Sequence, residues 1–173
     1  MTLAVHEAAA KAEFRPMLEV EMDIGVFVSN WTHCDRISSY LARMVSHNRT
    51  DSLLYSNLFS SALNELLETV FRSHAGEGRF RCHVSRAGSV DRVELTIPAD
   101  DDRAAFYVET VRELHRPTVS DRYRKALFAQ GPLDLRIGLY ELAVDYGAVF
   151  SVEQPDSATV RLTADLALED SEQ

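Results

Sequence analysis

A chain of 173 residues, 46% hydrophobic and 26% charged, carries enough apolar material for one domain with a substantial core and too little for two. Its formal charge of −9 and its 18 basic residues, spread along the chain, exclude a nonspecific nucleic-acid surface, which needs clustered Lys and Arg. No apolar run approaches the roughly 18–20 residues that cross a bilayer. The N-terminal MTLAVHEAAAKAEF lacks the basic start and long apolar middle of an export signal, so no membrane partner and a cytoplasmic location are expected, with two cysteines kept reduced.

Residues 1–17 are expected to form a flexible N-terminus, with a frayed helical turn at EAAAKAEF. From Leu18 to Val28 apolar residues alternate with Glu19, Glu21, Asp23 and Gly25, which predicts a strand or a hairpin bent at Asp23 to Gly25. Asn30 or Thr32 then opens a helix whose apolar face is Ile37, Tyr40, Leu41, Met44 and Val45, ending near Ser46. After the polar SHNRTD loop comes the longest helix, Ser52 to His74, capped by Asp51 or Ser52 and stopped at Gly76. Leu54, Leu58, Ala62, Leu66 and Phe71 give it a broad apolar stripe. Glu65 and Thr69, four apart, project together from another side.

Phe80, Cys82 and Val84, and then Val93, Leu95 and Ile97, alternate with polar residues about a turn at Ala87 to Ser89, the pattern of an antiparallel hairpin ended by Pro98. The run Asp100, Asp101, Asp102 caps a helix carrying Phe106, Val108, Val111 and Leu114, and Pro117 breaks it. A shorter helix follows around Tyr123 to Phe128. Leu135 to Tyr146 is helical and closed by Gly147, and strands at Val149 to Glu153 and Thr159 to Thr163 flank a turn at Gln154 to Ser157. Residues 18–166 are expected to form a single domain, with 167–173 a disordered acidic tail. The order of elements predicts an α+β two-layer sandwich, a mixed and mainly antiparallel sheet with helices on one face.

Metal chelation is not expected. His33 and Cys34 point about 100° apart on a helix, and Cys82 and His83 to opposite faces of a strand.

Two stretches resemble the histidine-kinase-like and Hsp90-type ATPase superfamily, GHKL, whose fold is of the Bergerat type. Asn64-Glu65-Leu66-Leu67-Glu68-Thr69-Val70, with Ser73-His74 after it, is similar to that superfamily's N-box helix, N-E-L-L-x-N-A. Leu135 to Glu141, Tyr146-Gly147, Val149 to Val152 and Thr159 to Leu162 are similar to the helix after the ATP lid and the closing strand pair. The resemblance implies that Glu65 stands at the base position and Thr69 at the magnesium-binding asparagine. It also implies that Asp100, or a neighbouring aspartate, stands where an aspartate takes adenine, and Gly131 in the phosphate-cradling lid.

The departures lie in the nucleotide elements. Thr69 replaces a carbonyl ligand. Pro98-Ala99-Asp100-Asp101-Asp102 lacks the D-x-G-x-G glycines, and Gly131-Pro132-Leu133-Asp134 lacks an amide at Pro132 and adds negative charge. The chain thus resembles a degenerate member, similar to small stand-alone bacterial regulators such as the SiaB-like partner-switching group. The expectation is a non-catalytic regulator without cofactor, acting on a protein partner. The alternative is an ATP- and magnesium-dependent serine kinase of a small partner protein, with Glu65 as base. A third reading is a homodimer pairing through Leu18 to Val28 and Thr32 to Val45.

Overall fold

Strand β1, Arg15–Asp23, opens a five-stranded sheet in the structure, a computed structural model that describes residues 13–74 and 76–171. The alternation continues beyond Asp23 in sequence, but the strand does not. Oδ1 of Asp23 accepts from the amides of Gly25 and Val26 at 2.8 and 3.2 Å and caps a one-turn helix, α1, Ile24–Val28. Ile24 and Phe27, three apart, are buried beneath it. The expected strand or hairpin through Val28 is therefore corrected: an aspartate cap outcompetes a period-two pattern that Ile24 and Phe27 satisfy equally well as a helix.

Helix α2, Thr32–Val45, and helix α3, Ser52–Ser73, lie where the periodicity predicts them. Asn30 accepts from the amide and hydroxyl of Thr32, and Asp51 from the amide of Leu54 at 2.9 Å. Strands β2, Arg79–Ala87, and β3, Val90–Pro98, form a hairpin over Gly88 and Ser89, where Gly88 takes the left-handed φ of 59° that a two-residue turn demands. Helices α4, Asp101–Leu114, α5, Val119–Phe128, and α6, Ile137–Val144, precede a second hairpin, β4, Val149–Asp156, and β5, Thr159–Leu166. Its turn is Ser157-Ala158, tighter and later than predicted. A register shift between Glu153 and Asp156 absorbs the residues assigned to the loop.

The sheet order is β1-β2-β3-β5-β4, and every described pair is antiparallel. This is the expected α+β two-layer sandwich without the parallel component that "mixed" allows. Phe80, Cys82, Val84, Val93, Leu95, Ile97, Val160 and Leu162 point from one face into a core closed by α3 and α4. The other face is a ladder of cross-strand polar pairs: the ion pairs of Glu21 with Arg79 and Arg81, Arg92 with Asp165, and Arg161 with Glu153, and a hydrogen-bond contact of His83 with Glu94. One-sided burial follows from strict alternation in β2, β3 and β5.

Both ends extend further than the sequence suggests. β1 begins at Arg15, and Phe14 packs on Val90 and Ala167, so residues 13–17 belong with the sheet; residues 1–12 lie outside the described residues. At the other end Leu168–Ser171 forms a 3-10 turn in which Leu168 is buried and Glu169 meets Arg49 at 2.7 Å, correcting the expectation of disorder for this part of 167–173. Residues 172–173 lie outside the described residues. Both thiols, Cys34 and Cys82, are free and buried, and burial pushes each up to about 12.

Candidate functional site

Between Ala62 and Val70 helix α3 is covered on almost every side, because the sheet takes one face and α6 another. Thr69 is buried, and its hydroxyl donates to the carbonyl of Glu65 at 3.0 Å. The Glu65–Thr69 face is not an open wall. Gly138, in the first turn of α6, lies so close that a Cβ there would stand 2.8 Å from Oε2 of Glu65, 3.3 Å from its carbonyl oxygen and 3.4 Å from Oγ1 of Thr69. Only glycine allows this approach without a shift.

The polar groups around that contact are mostly acidic. Burial first, and then the carboxylates of Glu141 and Glu68, raise Glu65 above the usual carboxylate range, against a lowering by Arg72. Burial and Asp145 raise Glu141 likewise. The Tyr123 hydroxyl donates to Asp145 at 3.2 Å and is pushed up to about 12 by burial and the carboxylates of Glu141 and Asp145. A carboxylate cluster of this sign attracts protons or cations and repels a triphosphate. Thr69, buried and already donating to the helix backbone, does not fit a magnesium ligand that must reach a hydrated ion.

Next to it is a second carboxylate centre. Glu113, buried at the end of α4, accepts from Tyr140 Oη at 2.7 Å, Arg122 Nη1 at 3.1 Å and Arg136 Nη1 at 3.2 Å. These donors sit on α6, on α5 and just before α6. One carboxylate thus clasps three segments, and α5 depends on it, because none of its residues is fully buried.

Asp100 lies elsewhere. Its carboxylate caps α4, accepting from the amide of Arg103 at 2.9 Å and from Arg103 Nη1 at 2.5 Å, while Arg103 Nε donates to the carbonyl of Ser73. Ser73 is eight residues beyond Glu65, roughly 12 Å along the helix. An open cleft of about 440 Å³ borders Asp100, His74 and Arg103. Gly131 stands in the exposed loop after α5 with a φ of 129° and nothing within 4 Å of an added Cβ. Glu65 and Thr69 are therefore together, whereas Asp100 and Gly131 occupy separate surroundings. Gly138 and Glu141 fall in the stretch that carries the resemblance but were given no role at the site, and Glu113 was not singled out in the sequence. A glutamate beside the apolar stripe of α4 was the available signal for Glu113.

Among the described residues no group of three or more His, Cys, Asp or Glu side chains is arranged to hold a metal ion, and no helix is long and apolar enough to cross a membrane.

The fold and this site define an α+β sandwich with one charged sheet face that no helix covers among the described residues and a cluster of carboxylates between helices on the other. No family model matches the chain, and no curated protein is similar to it in sequence. Its fold is similar to that of a chain in the crystal structure of the SiaB–SiaC complex from Pseudomonas aeruginosa, with a TM-score of 0.60 at 16% identity over 95% of this chain and 96% of that one.

Proposed function

We propose that the protein is a cytoplasmic signalling regulator of the partner-switching kind, a degenerate GHKL member that works by protein contact and has lost nucleotide chemistry. The observation that carries this reading is the seating of Gly138 against Glu65 and Thr69, with the Thr69 hydroxyl committed to the helix backbone at the position where the resemblance expects a magnesium ligand. The use of Asp100 as a helix cap paired to Arg103 supports it, as does a fold shared with a chain of a two-protein complex. Calorimetric titration with ATP and magnesium tests it. No binding is expected in the micromolar range. Micromolar affinity that weakens in Glu65→Ala or Asp100→Ala would defeat it.

One observation favours a second reading, an ATP-dependent serine kinase of a small partner protein. Glu65 is raised by burial and by Glu141, the condition of a carboxylate tuned toward a general base. Transfer of label from γ-labelled ATP to a protein in a cell lysate, lost in Glu65→Gln, would establish that reading in place of the first.

Dimerisation through β1 has a charge obstacle. The strand is a sheet edge, and two-fold antiparallel pairing about Val20 sets Glu19 of each copy against Glu21 of the other.

A further inference from the structure

Basic side chains are not evenly spread along the chain. Residues 112–136 carry six basic against three acidic side chains, while the rest of the chain carries 12 against 24. Within this island α5 turns Val119, Tyr123 and Ala126 inward against the core. Asp121, Arg124, Lys125 and Phe128, at steps of three and four, form the opposite face. Phe128 is 82% exposed and Leu127 50%, and Leu133 in the loop beyond adds 53%, so large apolar groups sit among cations at the surface. Arg124 pairs with Asp121 at 2.9 Å; Arg116 and Lys125 have no acidic partner within ion-pair distance among the described residues.

We infer that Arg116, Arg124, Lys125, Leu127, Phe128 and Leu133 form a docking surface for an acidic segment of a different protein, one that brings its own apolar anchor. An exposed aromatic beside Arg is the composition of an interface centre rather than of a solvated helix. The partner's charge follows from the surface: an island of six basic against three acidic side chains selects for carboxylates or phosphates on what docks there. A membrane is the weaker occupant, because a few cations at about 1 kcal/mol each do not hold a strongly acidic protein to an anionic bilayer. A second copy related by two-fold symmetry would bring this island against itself.

The inference rests on the reading of the chain as a protein-contact regulator. It is tested by placing a photo-crosslinking phenylalanine at Phe128 in the full chain, with Tyr40 as a control position, irradiating native cells and sequencing the crosslinked peptides. The expected adduct from position 128 lies on a segment of another protein with acidic or phosphorylated residues around an apolar one. Its yield should fall by about fivefold or more with Arg116→Glu and Lys125→Glu together, two exposed sites whose reversal leaves the fold intact. Adducts to a second copy, to lipid, or to a segment without acidic groups overturn the assignment, and so does a yield indifferent to the charge reversals. If position 128 gives nothing while Tyr40 captures a protein, the surface is wrong and the regulator reading stands. If neither position captures protein, both fail.

Discussion

Gly138 and Glu65 touch across the α3–α6 interface, with Oε2 of Glu65 2.8 Å from where a side chain on residue 138 would begin. The carboxylate is the movable end of a flexible side chain, whereas the Glu65 carbonyl at 3.3 Å is fixed in the helix. Gly138→Ala is therefore expected to displace the carboxylate toward solvent and lower its pKa toward the ordinary value. The net change in stability should stay within about 1 kcal/mol, since alanine also favours the helix by a similar amount. Gly138→Leu has no such escape and should cost about 1–3 kcal/mol. Carboxyl-carbon NMR titration and urea denaturation read the two effects, and an unchanged Glu65 titration in the alanine variant would show that the contact does not set it.

Glu113→Ala removes the acceptor shared by Tyr140, Arg122 and Arg136. Tyr140, the buried donor of the three, is left unpaired at a cost of about 1–3 kcal/mol, while the two half-exposed guanidinium groups turn to solvent. Because α5 has no fully buried residue, the loss should appear first as local opening. Trypsin should cut after Arg122, Arg124 or Lys125 about tenfold faster, at protease levels where cleavage follows the opening equilibrium. Equal rates in parent and variant would mean that Glu113 does not hold α5 down.

His74, partly buried and close to Arg103, is lowered to about 4 by burial first and then by that guanidinium. Between this value and its ordinary one near 6.5 the unfolded chain binds a proton that the folded chain does not, so stability is lost as pH falls through that window. The loss should be about 1–2 kcal/mol, allowing for solvent at the ring. Glu65 and Glu141, both raised, act in the opposite sense and add stability as pH falls through their folded values toward the unfolded ones. Urea midpoints at pH 7 and pH 5 should therefore show a smaller acid loss in His74→Gln and a larger one in Glu65→Gln. Identical profiles in all three proteins would contradict the assignment.

Asp91, fully buried in β3, accepts from Tyr55 Oη at 2.5 Å and from Arg86 Nε and Nη2 at 2.5 and 2.9 Å, with Arg49 3.4 Å away. Asp91→Ala would strand these partners and should cost about 3–5 kcal/mol. Tyr55→Phe removes one donor and should cost about 1–2 kcal/mol. Ending the chain at Leu166 should cost about 2–3 kcal/mol, chiefly through the lost burial of Leu168. Thermal denaturation of the three proteins orders these effects, and a truncated chain as stable as the full one would mean that the last turn adds nothing.

Repeating apolar spacing was enough to place α2, α3, the β2–β3 hairpin and α4, and the caps Asp51 and Asp100 were legible because a side-chain acceptor before a helix acts on amides two or three residues away. Local rules failed where two were satisfied at once. Ile24 to Val28 fits a strand by alternation and a helix by the Ile24–Phe27 step, and the cap of Asp23 decided between them. The Glu65–Thr69 pairing was visible as a spacing of four; its enclosure by Gly138 was not, because that contact joins residues about seventy positions apart.

By itself, then, the sequence determined the elements, their order and the one-sided burial of the sheet, since these follow from periodicity and from capping within a few residues. Tertiary structure alone decided that a glycine packs against the Glu65–Thr69 face, that Glu113 ties three segments together, and that Phe128 faces outward among cations. Those outcomes depend on distances between segments remote in the chain, which packing sets and no local pattern encodes.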